Sequence, residues 1–212
     1  MDKKRVRKIS TMAEMQAALQ AAFNAINKDF YGGELEKVII TVKEGKKKAA
    51  FGWIETAKNW KQNGIDRHEI NISADYIGER TVVQTITTLM HEMVHLYNLQ
   101  NGIKDTTQSG LYHNKKFKET AEAHGLQVEQ ASDIGWSLTT ATPQTKKWIE
   151  ENVHIKSFGV YKQVAEKDPK GGGKSKQSSR KYVCPKCGLI ARLTKEAAIM
   201  CVDCKQVMIF ES

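Results

Sequence analysis

No apolar run in this chain approaches the ~20 residues that a membrane-spanning helix needs, so the sequence offers no candidate for one. The basic start, MDKKRVRKIS, lacks the apolar stretch of a secretory signal. With neither span nor signal, a cytoplasmic protein is the expectation, and cysteine is missing from the whole body of the chain before Cys184. Acids are in deficit: 33 Lys and Arg against 24 Asp and Glu leave a net charge of +9. That excess is localised. Residues 1–8 carry five Lys/Arg against one Asp, and residues 160–181 carry seven against two acids, which accounts for all of the +9. Positive charge gathered in a tail and a linker suits contact with a phosphate backbone, and solubility is its plainer use. The 212 residues, 40% of them hydrophobic, suffice for one ordinary domain with a small appendage.

The four cysteines, Cys184, Cys187, Cys201 and Cys204, read C-x2-C-x13-C-x2-C. Two such pairs in a cytoplasmic protein point to zinc and away from disulfides. Four protein thiolates leave no open coordination position, so this zinc is structural. Strand-like segments at 189–193 and 206–210 complete the pattern of a zinc ribbon over 182–212. Ribbons bind DNA, RNA or protein, and a segment this short needs its metal to fold.

The stretch Thr81 to Gln100 is where chemistry concentrates. Val82, Val83, Ile86, Leu89, Met90, Met93, Val94 and Tyr97 make it apolar around much of a helix, which is the mark of a buried one. Within it lies His91-Glu92-Met93-Val94-His95, the HExxH pattern. Residues four apart share a helix face, so His91 and His95 can aim at one metal ion. Glu92 is rotated ~100° from His91, beside the metal as a base and not as a ligand. Asn101-Gly102 supplies a left-handed stop.

Elsewhere the chain reads as α+β. Thr11 and Glu14 form a capping box, with Ile9 and Met15 as its hydrophobic staple, and Met12, Met15, Leu19, Phe23, Ile26 and Phe30 mark a buried helical face ending at Gly32-Gly33. Val38–Val42, Ala49–Glu55 and Glu69–Ser73 read as three strands of a small antiparallel sheet, the first two joined by a turn at Gly45 to Lys48. A helix over about 114–124 follows, and Thr142-Pro143 opens a short one through Ile149. Trp136, Trp148, Phe158 and Tyr161 are expected to close the core. The third metal ligand is open from spacing: His113 precedes the 114–124 helix, and Glu119 and Glu122 lie on it. His68, His124 and His154 are not expected to be ligands. Tyr112 is either an oxyanion donor or a packing aromatic.

His91 to Asn98, followed by Tyr112-His113-Asn114-Lys115-Lys116-Phe117-Lys118, resembles the SprT-like zinc metallopeptidase domain. Asn27, the run Phe30-Tyr31-Gly32-Gly33-Glu34-Leu35, Gly52-Trp53 and the strand Glu69 to Ser73 agree with it over about 20–130. The Leu35-Glu36 pair lacks a proline often found there. The resemblance implies a zincin-like HExxH fold with His113 as third zinc ligand and Glu92 as catalytic base. The family includes DNA-dependent proteases that digest proteins crosslinked to DNA, and a zinc ribbon after the domain is a familiar layout in it.

The expected organisation is a metallopeptidase domain over 1–160 with a basic tail at 1–8, a flexible basic linker over 161–181, and the ribbon over 182–212. The expected function is zinc-dependent endoproteolysis of proteins associated with or crosslinked to nucleic acid. It uses two zinc ions per chain, with DNA contacted through tail, linker and ribbon. The rival from another class is a nucleic-acid-binding zinc adaptor without proteolytic activity, and a purely structural site would have no need of Glu92. A hydrolase of small amides is disfavoured by the appended ribbon and basic tether.

Overall fold

The computed structural model describes residues 7–9, 11–44, 50–108, 110–158 and 180–211. The tail before residue 7, the turn at Gly45 to Lys48, Tyr161 and the linker up to residue 179 lie outside the described residues. The chain divides into two compact units, Met1–Gln163 and Val164–Ser212. Among the described residues no helix is long and apolar enough to cross a membrane.

The first unit runs β1 (Arg7–Lys8), α1 (Met12–Tyr31), β2 (Ile39–Lys43), β3 (Gly52–Gln62), β4 (Ile65–Ser73), α2 (Ala74–Ile77) and α3 (Val82–Gln100). It continues with β5 (Thr106–Thr107), β6 (Tyr112–His113), α4 (Lys115–Ala123), β7 (Leu126–Ala131), β8 (Gly135–Ala141), α5 (Pro143–Asn152) and β9 (Ile155–Ser157). Helix α1 begins at a complete Thr11–Glu14 capping box, a device that stabilises a helix by about 1 kcal/mol. It ends at Gly32, φ 62°. Asn27 then holds the exit: its side-chain amide donates to Leu35 O and its carbonyl accepts from Leu35 N–H, both at 3.0 Å. Met15, Leu19, Phe23 and Ile26 of α1 are buried, whereas Met12 is 37% exposed and falls outside the expected face.

The sheet beside α1 has the order β2-β4-β3 and is mixed, not antiparallel. Strand β4 pairs antiparallel with β3 and parallel with β2. The reason is a hairpin that hydrophobic patterning does not reveal. Strand β3 runs on through the exposed residues Thr56 to Gln62 and returns as β4 through Asn63-Gly64. Both turn residues have left-handed φ, 51° and 80°, the backbone a two-residue hairpin requires. With β3 on one edge of β4, β2 takes the other, and His68 lies inside β4, not ahead of it. On the face away from the core, Glu69 is buried, and Thr41, Lys43 and the Trp60 indole donate to its carboxylate.

A second sheet, order β5-β6-β8-β7, forms where no strands were expected after residue 126. Helix α3 touches both sheets, through β3 and β4 on one and β8 on the other. Its Ile86, Leu89, Met90 and Met93 are fully buried against the α1 face and against Ile40, Ile70 and Ile72. Phe158 is buried, and Trp136 and Trp148 pack partly buried against the same core.

The second unit holds β10 (Arg180–Val183), β11 (Ile190–Leu193), β12 (Met200–Cys201), β13 (Gln206–Val207) and β14 (Ile209–Glu211). Strands β11-β10-β14 form an antiparallel sheet, and β12 pairs with β13. Its buried core is Tyr182, Cys184, Cys201 and Met208, far too small to carry the unit alone.

Candidate active site and metal centres

Helix α3 presents the histidines because its ends are fixed. Thr81 and Gln84 make a second capping box, and Gly102 leaves the helix at φ 66°. His91 and His95 then lie one turn apart, and β6 brings His113 to them. The Nε2 of His113 lies 3.2 Å from that of His91 and 3.1 Å from that of His95. A tetrahedral ion with Zn–N bonds of about 2.0–2.1 Å holds its ligand nitrogens about 3.3 Å apart, so the three histidines fit such an ion. Glu119 is exposed, and Glu122 is directed at Lys118. His68, His124 and His154 are not in the group that can hold a metal.

Each imidazole is tied back by its other nitrogen. His91 Nδ1 meets Thr139 Oγ1 at 3.1 Å, His95 Nδ1 meets Asp105 Oδ2 at 2.7 Å, and His113 Nδ1 meets Ile134 O at 3.3 Å. The Asp105 carboxylate and the Ile134 carbonyl only accept and so fix Nδ1–H on His95 and His113, and the Thr139 hydroxyl can accept from His91 in the same way, so that three Nε2 lone pairs converge. Burial, with His95 and His113 beside it, holds His91 well below the usual histidine value. Burial and His95 hold His113 down to about 4. Neutral imidazoles are what a metal requires. Phe117 of α4, fully buried, lies 4.6–4.7 Å from all three rings, centroid to centroid, and sets the floor on which they stand.

Asp105 extends this support. Burial would raise its carboxyl, but hydrogen bonds from His95 and Asn98 outweigh that and keep it below the usual value. Asn98, wholly buried, donates to Asp105 Oδ2 at 3.0 Å and accepts from Thr120 Oγ1 at 2.8 Å, which links α3 to α4 behind the site.

Glu92 is 5% exposed and faces β3. The Ile54 N–H donates to its carboxylate, and burial raises its pKa to about 7 despite His95 nearby. Gly52 permits this approach. A Cβ there would lie 2.9 Å from Thr88 Cγ2 and 3.3 Å from Glu92 Oε1. Gly135 does the same for His113: at φ +69°, a Cβ would fall 2.2 Å from His113 O and 2.8 Å from the Tyr112 ring. Tyr112 therefore packs over Gly135, with its hydroxyl 3.5 Å from Gln130 Nε2, which favours the packing role for it.

In the second unit the four cysteine sulfurs lie within 4.8 Å of one another and can hold a metal ion. The Cys187 backbone N–H brings Cys184 down to about 7, while the neighbouring Cys187 thiol and burial push Cys204 up to about 12. Four thiols this close resist losing their protons together, and a bound cation removes that conflict. The cluster is consistent with a zinc ribbon.

A family model described as the SprT-like family matches residues 19–140. The chain belongs to the SprT-like family. The SprT-like match runs from α1 to β8 and so takes in Glu92, the three histidines, Asp105 and Thr139. It suggests a metallopeptidase-like domain. No curated protein and no solved structure gives a significant match.

Sequence reading had not assigned Thr139, Asp105, Gly52, Ile54, Gly135 or the Ile134 carbonyl to the site. Asp105 lies between helices in a stretch with no motif of its own, and Thr139 in a segment without clear apolar alternation. Gly52 alone carried a usable signal, as a glycine inside a strand pattern, which marks close approach of another group.

Proposed function

We propose that this chain is a zinc-dependent endopeptidase with a zincin-like active site, acting in the cytoplasm on proteins associated with or crosslinked to nucleic acid. The observation that carries this reading is the convergence of three tied-back histidine Nε2 atoms beside a buried, strand-anchored Glu92. His91, His95 and His113 hold the catalytic zinc, and Cys184, Cys187, Cys201 and Cys204 hold a structural one. A zinc ion supplies Lewis acidity, polarising a carbonyl and lowering the pKa of water towards ~7.

Glu92 performs the proton work. It accepts a proton from water and returns one to the departing amine. Its bond from the Ile54 N–H fixes the carboxylate's orientation. Strand β3 also supports a binding mode for the substrate. The Ser73 N–H to Phe51 O bond sets the phase of pairing, so Phe51, Trp53 and Glu55 bond β4 while Gly52 and Ile54 direct their backbone groups to the other edge, where the Ile54 N–H is already taken by Glu92. An extended peptide laid along that edge passes Glu92, the β-augmentation mode. The net charge of +9 supports nucleic acid as the scaffold that concentrates substrate.

The test is proteolysis of an unstructured basic protein, and of the chain itself, with and without DNA, beside Glu92→Gln. Cleavage stimulated by DNA and absent in the variant is expected. Cleavage indifferent to DNA removes the scaffold from the reading. No cleavage by the zinc-loaded chain under either condition favours the adaptor.

A further inference from the structure

At the opposite end of β4 from the Gly52–Ile72 pair lies a cavity of about 430 Å³, within the range of small-molecule sites. It is framed by α1, the start of β2 and the β3–β4 hairpin. Its apolar lining is aliphatic, from Val38, Ile39 and the half-exposed Ile65. Four carboxamides surround it: Gln20 and Asn24 from the helix, Gln62 and Asn63 from the hairpin. Two cations complete the lining, Lys37 and Arg67, and no carboxylate does.

The cations are distinctive for what they lack. The neighbouring lysines are all neutralised: Lys43 by Glu69, Lys58 by Glu36, Lys61 by Asp66. Glu36 and Asp66, which flank Lys37 and Arg67 in sequence, are thus already engaged, Glu36 also with His68. Among the described residues no carboxylate lies within ion-pair distance of Lys37 or Arg67. The Arg67 guanidinium reaches the Lys37 carbonyl at 3.4 Å, which brings the two residues together, and its Nε is buried without a partner. Two cations without a carboxylate partner at one cavity attract an anion.

We propose that this cavity binds a nucleotide, its phosphate at Lys37 and Arg67, its base on the aliphatic lining with its polar edge read by the carboxamides. Carboxamides offer both donors and acceptors, which suits a base edge and not a simple anion. The site gives the nucleic-acid half of the proposed function a seat on the first unit, and it rests on that half and not on proteolysis. A free nucleotide and one residue of a single strand share this chemistry.

The test uses the full chain carrying Glu92→Gln, so that no cleavage intervenes, with thymidine monophosphate and an eight-residue oligothymidylate as probes. Lys37→Ala/Arg67→Ala should weaken both at least tenfold and lower the salt slope for the oligonucleotide by roughly one. Lys28→Ala/Lys146→Ala removes the same charge from exposed positions elsewhere on the first unit and should change affinity less than twofold. Lys37→Glu alone, at an exposed side chain, keeps the test valid if the double variant is unstable. A tighter oligonucleotide identifies the strand as the source, and equal affinities identify the free nucleotide. Equal loss in both pairs of variants, or loss in neither, overturns the site while leaving nucleic-acid binding to the rest of the chain. No binding of either probe overturns the site and the nucleic-acid reading together.

Discussion

Asp105 Oδ2 stands 2.7 Å from His95 Nδ1, on the side of the ring away from the other two histidines. Supports of this kind orient a ligand and raise its basicity, and losing one typically costs about 10–100-fold in metal affinity. Asp105→Ala is therefore expected to weaken metal at the histidine site by that factor, with Asp105→Asn intermediate because it keeps an acceptor. Competition against a chelator measures it, and a change below threefold would show that Asp105 serves packing alone.

Gly52 and Thr88 meet where β3 crosses α3. Gly52→Ala forces its new methyl against Thr88 Cγ2 at 2.9 Å and towards Glu92. A loss of about 1–3 kcal/mol is expected, as for other overpacked sites. Adding Thr88→Ser removes Cγ2 and should recover part of the loss. Urea unfolding of the single and double variants checks this, and additive losses would refute the contact.

The raised pKa of Glu92 has a consequence for the metal-free chain. A carboxyl at about 7 in the folded state and 4.5 otherwise favours the fold when protonated. That stability is fully present below 4.5 and is lost as pH rises through 7. Glu92→Gln abolishes the titration, so its stability relative to wild type should rise by about 1.4 kcal/mol per pH unit across that window. Denaturation of both apo-proteins from pH 4 to pH 8 tests it. A pH-independent difference would mean that Glu92 titrates alike folded and unfolded.

The second unit has four buried core residues, two of them cysteines. Cys184→Ser/Cys187→Ser should remove one metal ion per chain and unfold residues 180–211, while the histidine site keeps its own. Metal analysis with limited proteolysis reads both. Loss of both metals, or a protease-resistant ribbon without metal, would contradict the separation of the sites.

Much of the local structure was legible in the residues. The Thr11–Glu14 capping box, the glycine stops at Gly32 and Gly102, and the apolar period of α1 and α3 are set within a few residues of one another. For that reason they can be read without knowing the fold. The β3–β4 hairpin was missed because residues 56–66 are exposed and show no regular apolar alternation. The β7–β8 hairpin was missed for want of a clear alternation. Those two errors turned a mixed sheet into an antiparallel one and left out the strand that carries Thr139.

By itself the sequence determined which atoms are available for chemistry: two imidazoles and a carboxylate on one helix, a third histidine nearby, four thiols at paired spacing. A helix of 3.6 residues per turn does that without help. Only the tertiary structure decided which nitrogen of each ring is free, which strand anchors Glu92, and where an unpaired Lys37 meets Arg67. Those relationships join groups far apart in the chain, and they arise from the packing of α3 against two sheets and from the pairing of β2 with β4, which no local periodicity encodes.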